Sequence, residues 1–76
     1  MKILSECDAV KSAGEYDFIF ATKEEMQKVA IDLTKHGFMV GGGGENSEEY
    51  RATINVEPII HVQVAIDRAR KIIESI

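Results

Sequence analysis

One cysteine, Cys7, stands in a chain of 76 residues, so no internal disulfide can staple the fold. A single thiol with no secretory leader ahead of it points to a reducing, cytoplasmic home. Residues 1–4, MKIL, begin like a leader, but Ser5, Glu6 and Asp8 cut the apolar run short. No stretch approaches the roughly 20 apolar residues that a membrane-crossing helix needs. Basic residues are also in the minority, nine Lys and Arg against thirteen Asp and Glu, for a net charge of −4. Phosphate backbones are held largely through Lys and Arg, so this balance speaks against broad nucleic-acid binding. It suits instead a protein partner that is itself basic, as nucleic-acid-handling proteins are. No Ser-His-Asp arrangement, carboxylate pair or metal-ligand cluster stands at a recognisable spacing, which leaves no ground for catalysis, a metal or a cofactor.

What is present describes a small globular domain. The chain is 45% apolar and 29% charged, which is globular rather than disordered composition. Residues 1–76 make a single domain. A chain this short buries only about 60% of its unfolded surface, so its core is limited and self-association, most simply as a homodimer, is favoured.

The clearest local pattern begins at Thr22. Thr22-Lys23-Glu24-Glu25 is a capping box, and Met26, Val29, Ala30 and Leu33 follow on one helical face. Gly37 supplies the stop, so residues 23–36 are expected to be a helix. Residues 16–21, YDFIFA, read as a strand with Tyr16, Phe18 and Phe20 on one face. Residues 38–40 read as a second strand. Residues 51–56, RATINV, alternate with Ala52, Ile54 and Val56 inward and make a third. Pro58 suits the first position of a closing helix whose stripe is Ile59, Val62, Ile66, Ala69, Ile73 and Ile76, widened by Ile72. The β-branched run 59–64 leaves a strand open there. Residues 1–15 are less determined. The spacing of Ile3, Cys7 and Val10 suggests a short helix with Cys7 as a buried thiol, and a strand over residues 2–4 is the alternative. The expectation is an α+β, (α)βαββα sandwich: a three-stranded, largely antiparallel sheet carrying two main helices, with residues 16–76 as its βαββα unit.

Four consecutive glycines, Gly41 to Gly44, raise the question of a phosphate loop. A Walker-type loop needs Gly-Lys-Ser/Thr opening a helix, and a dinucleotide loop needs glycines at first, third and sixth positions. Here Glu45, Asn46 and Ser47 follow instead, then Glu48, Glu49 and a strand. The segment is therefore read as the tip of an antiparallel hairpin, and Glu45, Glu48 and Glu49 as an acidic contact surface for a protein partner.

Other residues carry rival readings. Tyr16, Phe18 and Phe20 could stack bases, with Arg68, Arg70 and Lys71 on the last helix meeting phosphates. The acidic neighbours Glu15, Asp17 and Glu49 favour instead a packed sheet face beneath the helices. His36 falls in the last helical turn, where an imidazole meets free carbonyls and the helix dipole. His61 has no second ligand at metal-binding spacing.

The stretch YDFIFATKEEMQKVAIDLTKHGFMV, followed by ATINVEP and a helix, resembles the ribonuclease E inhibitor B domain. The likeness lies in an aromatic strand, a capped acidic helix, a Gly-Phe step into a hairpin, and a strand running into proline and a second helix. It covers residues 16–76 and implies a ferredoxin-like α+β fold that acts by binding an enzyme. Expectation therefore centres on a small acidic non-catalytic protein, a modulator or inhibitor of another protein. The alternatives are a nucleic-acid-binding module and a dimeric ligand- or metal-sensing domain of ferredoxin-like or ACT-like type.

Overall fold

A computed structural model describes residues 1–42 and 49–76. Its elements in chain order are β1 (Ser5–Ala9), α1 (Val10–Ala13), β2 (Glu15–Phe20), α2 (Lys23–Lys35), β3 (Val40–Gly42), β4 (Tyr50–Asn55) and α3 (Val62–Glu74). The fold is α+β, with one antiparallel sheet ordered β1-β2-β4-β3.

The sheet has four strands where three were expected, and the added one is β1. Its residues Ser5, Glu6, Cys7 and Asp8 are all exposed, so no apolar alternation marks the strand in the sequence. Edge strands rich in charge commonly look this way, because charge there discourages pairing with another chain. Cys7 faces solvent opposite Asp17 and is not the buried thiol of a helix. The helix of this region is the single turn α1, whose first amide, Val10 N–H, donates to Asp8 Oδ1 at 3.0 Å. Gly14 ends it in the left-handed region at φ 67°, and a side chain there would also run into Glu57.

The α2 helix starts as its sequence dictates. Thr22 Oγ1 accepts the Glu25 amide at 3.2 Å, and Glu25 Oε2 accepts the Thr22 amide at 3.0 Å. Lys35 is the last helical residue, and His36 follows as the cap with its Nδ1 2.8 Å from the Asp32 carbonyl oxygen. Phe38 then donates its amide to Leu33 O, which completes the helix end and delays the next strand. β3 consequently begins at Val40 rather than residue 38, and Gly41 and Gly42 pair with Thr53 and Ala52. Two of the four glycines are thus ladder residues. Gly43 to Glu48 lie outside the described residues.

Strand parity sets the layers. Phe18 and Phe20 of β2, with Ala52 and Ile54 of β4, point to the helices and join Val29, Leu33, Ile66, Ala69 and Ile73 in the core. Tyr16 packs at the core margin, and its ring meets Phe18 edge-on at 5.3 Å between centroids. The odd-numbered residues of β2 and β4 face away, and none of them belongs to that cluster.

The closing helix starts at Val62, later than the sequence pattern suggests, with His61 as its cap. Pro58 sits in a turn in which Ile59 N–H donates to Val56 O at 3.0 Å. Residues 59–61 therefore form neither the first helical turn nor a strand. This places Ile60 on a loop.

Candidate interaction surface

Arg70 and Arg68 lie two residues apart on α3, and their surroundings divide the helix into two unlike flanks. On the first flank Arg70 grips β1. Its Nη2 donates to Glu6 Oε1 at 2.7 Å and its Nε to Glu6 Oε2 at 3.1 Å, a two-pronged contact. Asp67 Oδ1 accepts from Nη1 at 2.8 Å, and Tyr16 Oη donates to Glu6 Oε1 at 2.7 Å. The Arg70 hydrogen bond stabilises the charged carboxylate and holds the Glu6 carboxyl below its ordinary range. Burial, reinforced by the bond to Glu6, pushes the Tyr16 phenol up. Tyr16 and Arg70, both candidates for nucleic-acid contact, thus meet around one carboxylate that fastens helix to sheet edge.

The second flank is open. Gly37, Phe38 and Met39, ahead of β3, face the loop at Pro58 to His61 and the α3 residues Val64, Ala65 and Arg68 across a groove of about 550 Å³. Met39 is 68% exposed, Val64 65% and Ile60 90%, so three large apolar side chains stand in solvent around one depression. Contiguous apolar surface of this kind marks contact sites more often than isolated exposed leucines or valines do. Phe38 forms part of the wall and carries Arg68, whose guanidinium carbon lies 5.3 Å from the ring centroid. Arg68 Nη2 also donates to His36 O at 3.2 Å. No carboxylate pairs with Arg68 among the described residues.

A third polar group occupies the sheet face turned away from the helices. Asp17, only 5% exposed, accepts from Thr53 Oγ1 at 2.7 Å and from Arg51 Nη1 at 3.1 Å. Arg51 Nη2 donates to Glu49 Oε2 at 2.7 Å, and that bond is the main cause raising the guanidinium's affinity for its proton. Arg51 Nε is buried with no partner among the described residues. This arrangement satisfies a desolvated carboxylate on an otherwise uncovered sheet face.

The sequence-derived candidates therefore disperse. Glu49 is engaged by Arg51, while Glu45 and Glu48 lie outside the described residues. Phe18 and Phe20 are enclosed beneath the helices and present no face for stacking. Arg70 is committed to Glu6 and Asp67, whereas Arg68 and Lys71 remain exposed. Among the described residues no group of three or more His, Cys, Asp or Glu could hold a metal ion, and no helix is long and apolar enough to cross a membrane. The groove itself was missed in the sequence, because its residues come from three separate stretches and Ile59 read as the start of a helical stripe. Comparison with known proteins finds no match to a family model, to a curated protein or to a solved structure.

Proposed function

We propose that this chain works by binding another protein and modulating it, with the groove beside α3 as its principal contact. The observation that carries this reading is the trio Met39, Ile60 and Val64, exposed together around one depression. In so small a domain, three such side chains withheld from the core represent apolar surface left for a partner.

Topology supports the same reading. β2-α2-β3-β4-α3 supplies five elements of a ferredoxin-like βαββαβ unit. The sixth, the strand flanking β2, is β1, which comes from the other end of the sequence. A ferredoxin-like regulator of the kind implied by the resemblance to the ribonuclease E inhibitor B domain acts by binding an enzyme. The net charge of −4 suits a partner with basic surroundings, such as a nucleic-acid-handling enzyme. Direct nucleic-acid binding has less support, since Phe18 and Phe20 are buried, Tyr16 is bonded to Glu6 and Arg70 is paired. The face bearing Cys7, Asp17, Ile19 and Thr53 is where a homodimer would form under the sensing-domain reading.

The test is affinity capture with the tagged chain from lysates of its native cells, read by quantitative mass spectrometry. The proposal expects a partner recovered saturably and competed by untagged chain. Recovery of the free chain alone at every loading would overturn it.

A further inference from the structure

Charge accounting at the groove narrows what can occupy it. The chain has three arginines. Arg51 holds Asp17 and Glu49, and Arg70 holds Glu6 and Asp67. Arg68 holds no carboxylate among the described residues, although the chain carries four more acidic than basic groups, thirteen less nine. It is nevertheless held in place, by the Phe38 ring beneath it and the His36 carbonyl beside it. A guanidinium fixed in this way loses little freedom when a further partner binds its remaining donors.

The groove contributes no such partner itself, since none of its lining residues is Asp or Glu. Glu57, which adjoins Pro58 in sequence, lies over Gly14. A second copy docking through a two-fold axis would present the same patch to the same patch, guanidinium included. The lining of that copy would therefore bring no carboxylate.

We infer that the groove receives a peptide segment of another protein in which apolar side chains flank an aspartate or glutamate. The apolar side chains lie against Met39, Ile60 and Val64, and the carboxylate takes a charge-assisted hydrogen bond from Arg68. This deepens the protein-binding reading and rests on it. The long-range field of the chain and its local contact then differ in sign: net negative charge shapes the encounter, and one arginine fixes register.

The inference is tested by selecting random twelve-residue peptides displayed against the immobilised full chain, then measuring the selected peptides by fluorescence anisotropy. The expected peptides carry Asp or Glu among Leu, Ile, Phe or Met. Arg68→Gln should weaken their binding roughly tenfold or more, the loss of one hydrogen bond to a charged group. Changing the peptide's acid to its amide should weaken binding by a similar factor, and combining both changes should add little further loss. Val64→Lys should abolish binding. Circular dichroism of both variants should match the parent, and the peptide-side change needs no altered protein at all. Several results would overturn the inference: no peptide selected, basic or uncharged peptides selected, equal binding by Arg68→Gln, or a groove-dependent dimer in sedimentation. A cellular partner captured equally well by Val64→Lys would sink this inference while leaving the broader protein-binding reading intact.

Discussion

Two arginines on one helix meet opposite fates. Arg70 is closed into a joint by Glu6, Asp67 and indirectly Tyr16, so its flank of α3 is part of the folded structure. Arg68, two residues earlier, is held by a ring and a carbonyl but keeps its charge unanswered beside an apolar groove. Chemically identical side chains therefore do different work. The closed flank contributes to stability, whereas the open flank leaves polar and apolar surface in reserve, which is the arrangement expected of a contact site.

The largest expected effect breaks both flanks at once. Ile73 is fully buried on the core face of α3. Ile73→Ala should cost about 2–5 kcal/mol by lost transfer energy plus the cavity left behind. Urea unfolding followed by circular dichroism reads this as a lower midpoint at unchanged slope. A loss below about 1 kcal/mol would mean that α3 is not packed as described.

Smaller effects separate the flanks. Glu6→Gln should cost about 1 kcal/mol, since the pair is partly exposed and solvent screens it. Its pH signature is specific. The folded-state carboxyl titrates below its ordinary value of 4.5, so its stabilisation is present above that value and fades as pH falls through the lower folded one. The parent should lose stability across that acid window more steeply than Glu6→Gln. Parallel curves would remove the Arg70 joint from the account. On the open flank, Arg68→Gln and Val64→Lys should each move stability by less than about 0.5 kcal/mol, as exposed substitutions away from buried networks do. A large loss from either would convert the groove from a reserve surface into a structural one.

The legible parts of the fold were those written in local chemistry. Thr22 and Glu25 announce a capping box, and Ala52, Ile54 and Val56 alternate as an inward strand should. β1 was illegible for a physical reason. An edge strand whose Glu6 side chain meets α3 and whose Asp8 side chain meets the first amide of α1 buries almost nothing apolar, so it leaves no period to read. The helix start after Pro58 was obscured likewise, because Ile59 stands in register with a helical stripe in sequence while it lies ahead of the helix in space. The groove depends on that turn. It also depends on Phe38 closing the end of α2 rather than opening β3, a tertiary choice that propensity alone does not dictate.

One comparison addresses the central claim most directly: parallel affinity capture with the parent chain, Glu6→Gln and Val64→Lys as baits, each confirmed folded. If the open flank is the contact site, the parent and Glu6→Gln recover the same partner in equal amount, and Val64→Lys loses it. Undiminished recovery by Val64→Lys would contradict the account and move the contact elsewhere on the molecule.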